Sequence, residues 1–82
     1  MKNFRNSREL RNIRAINVFN PFFINIIGGR IRFPRKTGEA LYYFPEDPKP
    51  IRTKVSPREK DVTPRLLSHL LKYVESNPNV LN

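Results

Sequence analysis

The stretch Phe22–Phe33, FFINIIGGRIRF, constrains the fold more than any other part of the chain. Gly28-Gly29 separates two runs of strand-forming residues. A two-residue loop that needs φ > 0 at both central positions favours Gly-Gly, so the pattern predicts a β-hairpin with a type I′ turn. That turn pairs Ile27 with Arg30, Ile26 with Ile31, Asn25 with Arg32 and Ile24 with Phe33. Because side chains alternate along a strand, Ile24, Ile26, Ile31 and Phe33 share one face and Asn25, Arg30 and Arg32 the other. Phe23 and Ile27 remain as apolar exceptions on the polar side. The alternative is that Gly28-Gly29 caps an apolar helix starting near Pro21.

Around this hairpin the chain reads as α+β. Residues 1–20 form a basic arm with a helix: Ser7 is its N-cap, Leu10, Ile13 and Ile16 share one side, and Asn20-Pro21 ends it. Residues 21–56 hold an antiparallel sheet, the hairpin 22–33 joined by strands 39–44 (EALYYF) and 51–55 (IRTKV). In the first of these, Ala40, Tyr42 and Phe44 point one way and Leu41 and Tyr43 the other. In the second, Ile51, Thr53 and Val55 oppose Arg52 and Lys54. The proline-rich PEDPKP between them is a loop. Residues 62–77 form a C-terminal helix. Thr63 is its N-cap, Pro64 takes the first position, Val62 and Leu67 make a hydrophobic staple, and Leu66, Leu67, Leu70, Leu71 and Val74 line its apolar stripe. Asn77 is expected to take a left-handed position before Pro78, and the tail beyond to fray. The sheet face opposite the helices would carry Arg30 and Arg32, joined by Arg52 and Lys54 if the register allows.

The 82 residues make one small domain with a thin core. The net charge of +9 is uneven. Residues 1–36 carry nine Lys/Arg against the single acid Glu9, whereas bases and acids nearly balance in the rest. Clustered Arg at this net charge is the footprint of a nucleic-acid binder. Arg5, Arg8, Arg11 and Arg14 recur every third residue along the N-terminal helix, Arg30 and Arg32 lie on the hairpin, and Arg35 and Lys36 in the turn after it. Arg suits phosphate because its planar fork donates two parallel hydrogen bonds. Tyr42, Tyr43 and Phe44 either stack unpaired bases or fill the core, with Tyr43 the candidate for stacking.

Other chemistry is sparse. With no cysteine, disulfides and thiolate metal sites are excluded, and a single histidine makes a zinc site improbable. His69, in the C-terminal helix, has no recognisable catalytic partner, and no nucleophile or phosphate-loop motif is present. No cofactor, metal or catalytic residue is expected. No apolar run is long enough to span a bilayer, and no secretory signal is legible. An intracellular setting is expected, and the Arg-rich, acid-poor N-terminus also fits a mitochondrial targeting segment.

From Val55 to Val74 the sequence VSPREKDVTPRLLSHLLKYV resembles the C-terminal part of HicA-type toxins. In that family a last strand leads through a charged loop into a capped, Leu-rich helix; the fold is similar to double-stranded-RNA-binding domains, and members cleave mRNA. The family's Gly-Ser-His motif in a comparable strand corresponds to Gly28-Gly29-Arg30, so Arg stands where the catalytic His would be. The fourth strand expected here is a further departure. The resemblance implies RNA binding without that His. The sequence thus predicts a non-enzymatic RNA-binding protein, most simply a structural subunit of a ribonucleoprotein such as an organellar ribosome, contacting RNA phosphates and neighbouring protein subunits. The alternatives are a HicA-like toxin or inactive relative, and a small basic accessory subunit of a respiratory or other large assembly.

Overall fold

The computed structural model describes residues 11–36, 38–54 and 58–81. The molecule is α+β, with a three-stranded antiparallel sheet packed on one face by helices. A 3₁₀ turn, Arg11–Ile13, precedes helix α1, Ile16–Phe22, which runs on as a π-helical segment, Phe23–Ile27. Strands β1 (Arg30–Arg32), β2 (Glu39–Tyr43) and β3 (Ile51–Lys54) follow, and helix α2, Pro64–Ser76, leads into a last 3₁₀ turn, Pro78–Leu81. The strand order is β1-β2-β3.

The hairpin expected at 22–33 is absent. Its first half is helical, and Gly28-Gly29 ends the helix instead of turning a ribbon. Gly28 sits in the left-handed region at φ 83°, and both its N–H and that of Gly29 donate to the Phe23 carbonyl. The reason lies in the core. Ile16, Phe19, Phe22, Phe23, Ile26 and Ile27 recur at helical spacing, and Phe19 and Phe23 are both 0% exposed. Phe23 and Ile27, which a hairpin must treat as exceptions, are among the most deeply buried side chains, while Ile24 and Phe33, which it would bury, are exposed. Pro21 does not end the helix but lies within it. Losing its N–H and crowding the turn before it costs about 3 kcal/mol. Burying an aromatic or aliphatic side chain returns about 1.5–3 kcal/mol each, so the Phe cluster outweighs the proline.

The arginine-bearing helix expected over residues 1–20 falls largely outside the described residues. Where it is described, Arg14 and Ala15 are not helical: Ala15 is extended (ψ 131°) and bridges Asp61 in antiparallel fashion. The Ile16 N–H donates to the Lys60 carbonyl at 2.8 Å and the Val62 N–H to the Arg14 carbonyl at 2.7 Å. This backbone pairing supplies α1 with the partner that its uncapped N-terminus lacks.

β2 is central, pairing Tyr42 with Ile31 and Ile51, and Leu41 with Arg32 and Arg52. Ala40, Tyr42 and Phe44 therefore face the helices. Phe23 meets Tyr42 and Phe44 edge-on, at 5.3 and 5.0 Å between ring centroids, and lies stacked with Phe19. The Tyr42 hydroxyl donates to Asn20 Oδ1 at 2.7 Å. Burial raises its pKa, and the Asn20 amide, which can turn an N–H toward a phenolate, acts the other way. α2 is as expected: Thr63 accepts from the Leu66 N–H, Pro64 opens the helix, and Leu66, Leu70 and Val74 are buried. Asn77 departs from its expected left-handed geometry (φ −134°). It closes the helix with its side chain, which donates to the Tyr73 carbonyl at 2.9 Å. The tail does not simply fray, since Val80 packs against the core.

Candidate nucleic-acid interface

With Tyr42, Ala40, Ile31, Ile51 and Thr53 turned inward, the pleat sends the alternate residues to the open face. The register places Arg30 beside Tyr43, Arg32 beside Leu41, Arg52 on Leu41's other flank, and Lys54 beside Glu39. All four cations are exposed, and the described part of this face carries one carboxylate against them. Adjacent strands lie about 4.8 Å apart, so β1 and β3 present their cations across roughly 10 Å of sheet.

Two contacts organise the face. The Arg30 guanidinium carbon lies 5.3 Å from the Tyr43 ring centroid, within cation–π range. Arg52 Nη1 is 3.5 Å from Glu39 Oε2, an exposed pair that a phosphate could compete for. Beside Tyr43 opens a cleft of about 690 Å³, walled by Gly28, Arg30, Phe44 and the β2–β3 loop residues Pro45, Glu46 and Asp47. Asp47 Oδ1 accepts the Lys49 N–H at 3.0 Å, which fixes that carboxylate against its own loop. A groove of about 590 Å³ lies on the helical side, between Ile16, Phe33, Tyr42 and Val62.

Of the residues singled out from sequence, Arg30, Arg32 and Tyr43 come together on the open face. Arg35 and Lys36 are exposed in the β1–β2 loop, off the sheet. Arg14 is on the helical side, lining the groove and paired with Asp61 at 3.8 Å. Arg11 begins the first 3₁₀ turn, and Arg5 and Arg8 lie outside the described residues. Tyr42 and Phe44, left open between base stacking and core, are core. Arg52 and Lys54 belong in the site set. Their alternation with Ile51 and Thr53 was legible, but membership of the same face as Arg30 needed the β2–β3 register.

His69 is half-buried on α2, and no metal-holding group of His, Asp or Glu occurs among the described residues. Among them, too, no helix is long and apolar enough to cross a membrane, and the sequence has no cysteine to form a disulfide. Compared with protein-family models, curated proteins and solved structures, the chain matches none.

Proposed function

We propose that this is a non-enzymatic RNA-binding protein that holds RNA phosphates on its open sheet face, as a structural subunit of a ribonucleoprotein such as a ribosome. One observation carries the reading: Arg30, Arg32, Arg52 and Lys54 share, with Tyr43, the face of the sheet that the described helices leave uncovered, Arg30 beside Tyr43 and the other three further along it. Guanidinium forks there bind phosphate oxygens, and neutralised phosphates release their counterions. The net charge of +9 adds a long-range attraction to any polyanion. A ribosomal assembly, in an organelle or elsewhere, suits a small basic chain of this kind, with neighbouring subunits as further partners.

A second reading, a HicA-like RNase or an inactive relative, is supported by the strand count. The fourth strand expected from sequence was a departure from that family, and among the described residues the sheet has three. The Gly28-Gly29-Arg30 stretch that corresponds to the family's motif leads directly into β1. Arg30 in place of His favours the non-cleaving form.

The test is a titration against single-stranded and duplex RNA over a range of salt. Arg32→Gln combined with Arg52→Gln should lower the salt slope by about 1.4 to 1.8, from about 0.7 to 0.9 per phosphate contact. Arg14→Gln, on the helical side, should leave the slope alone. Binding that is indifferent to salt, or a slope unchanged in the double variant, would refute the interface and favour a protein-held accessory subunit. RNA cleavage by the purified protein would favour the second reading.

A further inference from the structure

The cleft beside Tyr43 adds more to the open face than charge. We infer that it receives one unpaired base of single-stranded RNA, stacked on Tyr43 beside Arg30, and that the Glu46 carboxylate on its wall selects guanine. The inference rests on the RNA-binding reading of the sheet face and narrows its substrate.

The platform comes first. A duplex shows a protein its phosphates and 2′-hydroxyls, while the flat faces of its bases stay stacked inside. Phosphate capture alone needs no aromatic ring among the cations. Tyr43 supplies one, held half-exposed in the central strand by its pairing with Arg30. The Arg30 guanidinium carbon lies over this ring, 5.3 Å from its centroid, and supplies a second planar group on which an unpaired base can stack, because both aromatic rings and Arg planes accept unpaired bases. The cleft's volume of about 690 Å³ admits a nucleotide, and its rim is stiff, since Pro45 and Pro48 flank the acids.

The wall then supplies selectivity. Asp47 is engaged by the Lys49 N–H. Glu46 is exposed and has no ion pair or hydrogen bond among the described residues, so its carboxylate is available to a ligand. Guanine presents two parallel donors, N1–H and the N2 amine, to a two-oxygen acceptor. Adenine and cytosine offer one exocyclic amine next to an acceptor nitrogen, and uracil one N–H between two carbonyl oxygens. Each would leave a carboxylate oxygen facing a lone pair. The same carboxylates repel phosphate, which directs the backbone toward Arg32, Arg52 and Lys54 at the other end of the face.

The experiment uses the full chain and fluorescence anisotropy, with bases ranked at one salt concentration and the slope read over a range of salt. The probes are a short oligouridine, the same oligomer with one central guanine, adenine or inosine, and a duplex of equal length. The guanine oligomer should bind about five- to a hundredfold tighter than oligouridine, the worth of one good bidentate base contact. Inosine, lacking the N2 amine, should lose part of that gain. Glu46→Gln should erase the ranking of guanine over adenine. Tyr43→Ala should weaken all single strands together without changing the salt slope. If Tyr43→Ala fails to fold, the inosine and Glu46→Gln arms still decide. Salt-dependent binding that is equal for every base and for the duplex would overturn the cleft assignment and leave the phosphate-binding face standing. Absence of RNA binding would overturn both.

Discussion

Replacing Gly29 with Ala tests the central packing argument directly. A Cβ built on Gly29 would lie 2.3 and 2.5 Å from two atoms of the Phe23 ring and 2.8 Å from the Tyr43 carbonyl oxygen. Neither neighbour can easily move away. Phe23 is 0% exposed and is held between Phe19, Tyr42 and Phe44, and the Tyr43 carbonyl is fixed in the central strand. Gly29 needs no left-handed conformation, unlike Gly28 and Gly38, so its penalty is steric. Overpacking of this kind costs about 1–3 kcal/mol. Alanine's narrower unfolded ensemble returns about 0.4–1 kcal/mol. A net loss of about 1–2 kcal/mol is a substantial part of the roughly 4–12 kcal/mol expected for a domain of this size. The assay is urea denaturation of four proteins: the parent, Gly29→Ala, Phe23→Leu and the double variant. Leucine removes the ring atoms that the new methyl meets, so Gly29→Ala should cost clearly less in the Phe23→Leu background. A penalty that is the same in both backgrounds would show that the methyl's cost does not come from the Phe23 ring, and would refute the packing argument.

The other two stability predictions concern α2 and the buried phenol. Leu70→Ala should cost about 2–5 kcal/mol in denaturant, as truncation of a buried Leu does; a loss under about 0.5 kcal/mol would mean that the stripe does not face the core. Tyr42 has its pKa raised in the folded protein. Its contribution is therefore complete below pH about 10, where the phenol is neutral in both states, and falls as pH rises because the unfolded chain ionises first, until the folded phenol ionises too. Tyr42→Phe should flatten part of the alkaline decline in stability, and superimposable declines for the two proteins would refute the linkage.

The sequence alone determined the elements whose signals are local. Thr63-Pro64 and the Leu stripe define α2 without reference to anything else, because capping and helical periodicity act within a few residues. The alternation in EALYYF and IRTK likewise marked which side chains leave the sheet on each side, and the α+β class followed. The decisive failure was local as well. Gly28-Gly29 serves a hairpin turn and a helix C-cap equally well, and Pro21 suggested a boundary. What separated the two was whether Phe19, Phe22, Phe23 and Ile27 had a common surface to bury against, and that surface is made by Tyr42 and Phe44, some twenty residues away. The candidate site divides in the same way. Charge patterning marked Arg30 and Arg32, and the stacking argument marked Tyr43. Only strand pairing could put Arg52 and Lys54 on the same face, set Arg14 on the opposite side of the sheet, and open a cleft between Tyr43 and Glu46. A strand's own sequence fixes which residues share a face, but the register that joins those faces is set by contacts between strands distant in the chain.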